Sequence, residues 1–174
     1  MAGVGHVSAP HLALRPLRPT DLPSVLAIQR AAYGDGYQES ATVLGRKLEL
    51  APQACWLAHA GKEAVGYVFA HPWDAAGAPA LHVPLAALPA AADRGFVHDL
   101  AVSPAARGLG VAAALFARVR AWSGAAGHRG MRLVALADAV PFWGHHGFTT
   151  LPAALPEAYG AGALLMECAF RDRD

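Results

Sequence analysis

Phe96-Val-His-Asp-Leu-Ala-Val-Ser-Pro-Ala-Ala-Arg107-Gly-Leu-Gly-Val-Ala-Ala-Ala-Leu-Phe116 is the stretch that decides the fold. Its first seven residues read as a strand bounded by the Ser103-Pro104 turn, and a helix is expected over about residues 110–122. Between them lies a glycine loop. A helix start presents unpaired backbone N–H groups and the positive end of the dipole, so it can hold a diphosphate that comes close to the backbone. Gly108 and Gly110 permit that approach and any positive φ it needs, while Ala112 keeps the first turn free of bulk. Arg107 adds a fixed charge for phosphate oxygens. Behind this cradle, Val111, Leu115, Val119 and Trp122 share one helical face that anchors it to a sheet.

Working outward, residues 11–17 alternate enough for a first strand, and Pro19-Thr-Asp-Leu-Pro23 supplies a capping hydroxyl and a first-turn proline for a helix to about Ala32. Leu22, Val25, Leu26 and Ala32 are expected on its buried face. Tyr33-Gly-Asp-Gly-Tyr37 breaks the pattern, and a second helix spans about residues 40–50, with Leu44 and Leu48 one turn apart. Residues 55–60 and 65–70 read as a hairpin closed by His71-Pro-Trp73. Residues 74–93, rich in Ala and Pro, form a long surface excursion with a turn of helix near residues 84–88. A strand at 131–136, a short helix at 140–146 stopped by Gly147, and a last strand at 163–170 complete the chain. The order β-α-α-β-β-β-α-β-α-β defines an α/β (α+β) chain with a mixed sheet and helices on both faces. Residues 1–174 are expected to be a single domain, with 1–10 a loose tail.

Composition narrows the classes. A chain of 174 residues, 55% hydrophobic, can bury one sizeable core. No apolar run approaches the ~18 residues of a spanning helix, and the first residues lack the pattern of a secretory signal. Cys55 and Cys168 are too few for a disulfide framework and lack zinc spacing. A soluble cytoplasmic chain with reduced thiols is expected. Net charge is +1 with scattered Lys and Arg, so neither nucleic acid nor membrane is an expected partner.

Gly108 to Ala113 also satisfies the loose Gly-x-Gly-x-x-Ala dinucleotide fingerprint. Its context argues otherwise: five residues separate strand from glycines, and the first acid after the loop, Asp138, falls late.

Arg107-Gly-Leu-Gly-Val-Ala112 resembles the Gln/Arg-x-x-Gly-x-Gly/Ala signature of the GNAT superfamily of N-acetyltransferases, preceded there too by a strand ending Leu-Ala-Val. Ala137-Asp-Ala-Val-Pro-Phe-Trp-Gly-His-His-Gly-Phe148 is similar to the family's later segment, and the element order agrees over nearly the whole chain. His-Asp-Leu-Ala-Val with Phe-Trp before Gly-Phe resembles a small bacterial subgroup. The resemblance implies a GNAT fold with a mostly antiparallel sheet, acetyl-CoA as cosubstrate, and a primary amine of a small molecule or peptide as acceptor. It further implies that Leu100, Ala101 and Val102 pair with the pantetheine arm, while Arg107, Gly108, Leu109, Gly110, Val111 and Ala112 hold the pyrophosphate. A homodimer is left open.

Acyl transfer to an amine calls for proton acceptors and donors. Trp143 stands where many relatives carry a tyrosine acid, and its indole N–H cannot act as an acid near neutral pH. His98 and Asp99 lie in the central strand, where alternation sends one to each face, so one sees the cleft as a base or orders the strand as a buried polar group. His145, beside His146 at the end of the short helix, and Tyr159 before the last strand are further candidates. No metal site is expected. Following the resemblance, the acceptor lies against residues 33–40 and 153–162. Tyr33, Tyr37 and Glu39 frame the amine, and Glu39 and Asp35 favour a cationic one. A catalytically silent acyl-CoA-binding or regulatory module is the alternative that Trp143 suggests.

Overall fold

The computed structural model describes residues 11–74 and 77–171, so the expected tail at 1–10 lies outside the described residues. Strands are β1 (Leu12–Pro16), β2 (Cys55–Ala60), β3 (Glu63–Trp73), β4 (Arg94–Val102), β5 (Gly130–Ala135), β6 (Thr149–Thr150) and β7 (Leu164–Ala169). Helices are α1 (Leu22–Tyr33), α2 (Ala41–Leu50), α3 (Val111–Ala125) and α4 (Val140–His145). The strands form one sheet in the order β1-β2-β3-β4-β5-β7-β6, antiparallel except for β4 against β5. This is the expected mixed, mostly antiparallel sheet with helices on both faces.

Each face has its own apolar core. Val25 and Ile28 of α1 and Leu44 and Leu48 of α2 cover Leu57, Tyr67, Phe69 and Ala101. On the other face, Val111, Leu115, Phe116 and Val119 of α3 pack with Val68, Val97, Leu133, Trp143 and Phe148. The face read for α3 is therefore the buried one, with Trp122 partly buried at its end. Gly66 of β3 lets the start of α3 sit directly on the sheet, since a Cβ there would lie 2.8 Å from Val111 Cγ1 and 3.1 Å from the Ala101 carbonyl oxygen.

Three local expectations are corrected. Neither the Thr20 hydroxyl nor any other side chain caps α1, whose N-cap residue is Asp21. A 3-10 turn over Pro19–Asp21 leads into the helix, and the Asp21 carboxylate accepts from Arg18 N at 2.8 Å and from Arg15. β3 runs through His71-Pro-Trp73, because Trp73 still pairs with Arg94. Residues 84–88 form no helix; Arg46 instead binds the carbonyls of Leu85 and Ala86 at 3.1 and 3.0 Å, which a helical turn would need for itself.

Candidate active site

Two irregularities of β4 make the site. The first is its divergence from β5. The parallel pair registers only Gly95 with Met131, Phe96 with Arg132 and Val97 with Leu133. Beyond it, Leu100, Ala101 and Val102 keep Val68, Tyr67 and Gly66 as partners on the β3 side only. Their other edge borders a cleft of about 590 Å³, lined among others by Val97, Leu100, Val102, Leu133, Leu136 and Trp143. Open strand edges offer backbone donors and acceptors to an extended ligand.

The second is a bulge. Phe69 pairs with Asp99 and Ala70 with Val97, so His98 is the extra residue. Alternation fails there, correcting the expectation that one of His98 and Asp99 faces each way. The His98 ring lies 6.2 Å from that of His71, and Asp99 binds Tyr67 and α1, so both side chains stand on the α1–α2 face. Val97 and Leu100 on either side turn toward α3.

The two neighbours have different surroundings. Asp99 accepts from Tyr67 Oη at 2.7 Å, Tyr33 Oη at 2.9 Å and Gln29 Nε2 at 3.3 Å. Tyr33 also lies 2.8 Å from the Leu100 carbonyl oxygen, so its single proton serves two acceptors. Burial raises the Asp99 pKa, and these hydrogen bonds only partly oppose it. His98 has no exposed side-chain surface, and its Nε2 meets Glu39 Oε1, while Glu39 Oε2 accepts from His82 N at 2.8 Å. Burial pushes the Glu39 pKa up, but the His98 contact, Lys47 and His82 outweigh it and bring it down to about 2. The carboxylate is thus ionised and can only accept, so His98 Nε2 carries a hydrogen, and in the neutral ring the lone pair is on Nδ1.

At the other end of the cleft, Gly108 and Gly110 take φ of +81° and +75° with open space where a Cβ would stand. Gly110 precedes α3 in the left-handed conformation with no side-chain cap, leaving the first N–H groups of the helix available. Arg107 and Ala112 line the cleft. The Val111 side chain is buried, so this residue can offer a ligand its backbone only, while Leu109 is 60% exposed. A glycine turn, an arginine and bare helix N–H groups fit a diphosphate.

Tyr33, Tyr37, Glu39 and Tyr159 all line the cleft, as do Leu81 and Asp138. Tyr159 is 5% exposed and donates its hydrogen to the Pro79 carbonyl; burial and Glu39 raise its pKa. Tyr37 Oη lies 3.3 Å from the Tyr159 carbonyl oxygen. Asp35 is exposed beside Gln38, away from the lining. His145 is exposed at the end of α4 and is not brought to the cleft, while His146 packs on Phe142 and Phe116. Trp143 is a core residue, 7% exposed, edge-on to Phe116 at 5.4 Å. Among the described residues no three His, Cys, Asp or Glu gather to hold a metal ion.

Gln29, Lys47, Tyr67 and His71 were not singled out from sequence. Helical phase carried a signal for one, since Lys47 follows Leu44 by three residues and so falls inside the apolar stripe of α2. Strand alternation carried another, placing His71 on the face of Tyr67 and Phe69.

A sheet parted between β4 and β5, with a glycine cradle heading the helix that follows β4, is the architecture of the GNAT fold. The chain belongs to the Acetyltransferase (GNAT) family, whose sequence model matches residues 22–148. Ard1 from Thermoplasma volcanium is similar in structure, with 17% identity, 92% of this chain and 99% of that one covered, and a TM-score of 0.74. Naa50 of Arabidopsis thaliana, in complex with the bisubstrate analogue CoA-Ac-MVNAL, shares 15% identity over 91% and 99% of the two chains at 0.68. The GphF GNAT-like decarboxylase, in complex with isobutyryl-CoA, shares 21% over 91% and 100% at 0.74. Identities this low speak for the fold alone. A search of curated proteins finds no match.

Proposed function

We propose that this protein is an acetyl-CoA-dependent N-acetyltransferase acting on a primary amine of a small molecule or peptide. The observation that carries the reading is one cleft joining the open edge of β4, and Arg107 and Ala112 of the cradle, to the His98–Glu39 pair. Acetyl-CoA, when bound, supplies an activated acyl thioester. Leu100, Ala101 and Val102 offer backbone partners to its extended arm. The N–H groups at Gly110, Val111 and Ala112, with Arg107, balance its phosphates.

His98 is the base in this reading. Its Nδ1 is buried, so its lone pair receives the acceptor's proton through water, and the Glu39 carboxylate stabilises the imidazolium that results. Glu39 thus orients the base instead of binding the acceptor amine. With Glu39 and Asp99 both engaged by protein groups, the cleft-lining Asp138 is the carboxylate left to meet a cationic acceptor. Tyr33, Tyr37, Tyr159 and Leu81 supply its aromatic and apolar walls.

The test joins binding to turnover. Purified protein should bind CoA, and Gly110→Trp should abolish that binding, because the indole takes the phosphates' space. Across a panel of amines, polyamines, amino acids and peptides, at least one should release thiol from acetyl-CoA. His98→Gln should lower kcat by about 10²-fold or more, within the range general for proton transfer. Binding without thiol release would establish the silent acyl-CoA-binding module instead.

A further inference from the structure

On the α1–α2 face below the bulge lie four buried polar atoms with no partner in the protein: Lys47 Nζ, His71 Nε2, His98 Nδ1 and Gln29 Oε1. Lys47 and His71 have no exposed surface, and Gln29 is 1% exposed. Their hydrogen-bonding characters are complementary. His71 Nδ1 is 2.9 Å from the Pro72 carbonyl, which only accepts, so Nε2 holds the lone pair. In the neutral His98 ring Nδ1 holds one for the same reason, opposite Glu39. Gln29 donates its amide hydrogens toward Asp99, which leaves Oε1 as an acceptor. Lys47 has three donors and no acceptor. Three acceptors and one three-donor ammonium thus lie on one face of the sheet: the His71 and His98 rings are 6.2 Å apart, and Lys47 is close enough for its charge to act on His71 and on the Glu39 that meets His98.

We propose that Lys47 is a positioning residue of the acyl-transfer site, orienting a buried water onto His98 Nδ1, with His71 and Gln29 as the other walls of that water's chamber. The proposal rests on the reading of His98 as the base. Because Lys47 only donates, a bridging water must accept from it and turn a hydrogen toward the imidazole lone pair. The transfer then balances: the acceptor N–H bond breaks, its proton passes to the water, and a second proton leaves the water to form Nδ1–H on His98. The positive charge ends on His98, beside Glu39. The charged and titratable groups that act on Lys47 are Glu39 ahead of α2, Cys55 on β2 and Asp99 on β4, and Lys47 acts on His71 of β3; Tyr67 and His98 stand one contact further, on Asp99 and Glu39. Burial lowers the His71 pKa to about 3, so that ring stays neutral and keeps its lone pair at working pH. Burial also lowers the pKa of Lys47, against the pull of Glu39 and Asp99.

The experiment compares wild type with Lys47→Met, using acetyl-CoA and an amine from the turnover panel, together with ¹⁵N NMR of the histidine rings. The expected result is a kcat at least tenfold lower, an unchanged KM for acetyl-CoA, and a downfield move of His98 Nδ1 as its lone pair loses the water. A folded Lys47→Met with wild-type kcat and an unmoved Nδ1 signal would overturn the proposal. Should that variant not fold, wild-type spectra decide: hydrogen on His98 Nδ1 or on His71 Nε2 sinks the idea, and imine nitrogens at both support it. If His98→Gln keeps wild-type kcat, the base reading itself fails, independently of Lys47.

Discussion

His98 and Asp99 are chain neighbours on one face of the sheet, yet they differ in what surrounds them. Asp99 is enclosed by three donors, and Asp99→Ala would leave the Tyr67 hydroxyl and the Gln29 amide unsatisfied while Tyr33 keeps the Leu100 carbonyl, at about 1–3 kcal/mol of stability. Asp99→Asn, nearly isosteric, should hold that stability and keep kcat within about tenfold if His98 and not Asp99 is the base. Chemical denaturation and steady-state assays check both. Glu39 has a folded pKa depressed from 4.5 to about 2, so the stability it contributes is complete above pH 4.5 and is lost as pH falls toward 2. Glu39→Gln should flatten that part of the stability–pH curve, and it should lower kcat because a Gln amide can donate to Nε2 and move the imidazole hydrogen to Nδ1.

Among the elements, the cradle was legible in the sequence and the bulge was not. Every contact that shapes the glycine turn and the start of α3 is local, so residue type and helical phase are enough to read Arg107, Gly108, Gly110 and the buried stripe from Val111 to Trp122. Nothing in Val97-His-Asp-Leu100 marks an extra residue, because a bulge is a property of the pairing with Phe69 and Ala70. The excursion was legible as a loop, but its attachments were not: His82 N to Glu39, Tyr159 to Pro79 and Arg46 to Leu85 and Ala86 all join residues far apart in the chain. Gly66→Val tests how far the cradle depends on the sheet beneath it. The added side chain must displace Val111 and Leu115, so a loss of about 1–3 kcal/mol is expected. CoA affinity should fall with it, which calorimetry would read as a weaker Kd, while Gly36→Ala, with open space at its Cβ, should change neither.

For the whole molecule, the buried polar layer between α1, α2 and the sheet makes stability depend on pH. His71 has a folded pKa of about 3 against an ordinary 6.5, because burial disfavours its charged form. Between those values the unfolded chain binds a proton that the folded one refuses, so stability should fall as pH drops from about 6.5 toward 3. His71→Phe should remove much of that slope in thermal melts across the range. The sequence by itself determined the order of elements, the two-faced sheet, the glycine turn before α3 and the family resemblance, because each is written in local periodicity, glycine placement or contiguous motif. Tertiary structure alone decided that His98 and Asp99 share a face, that Glu39 meets His98, and that Lys47 and His71 are buried on that same face. These relations arise where strand register and helix docking bring together residues from α2, β3 and β4 that are distant along the chain, and no local pattern records them.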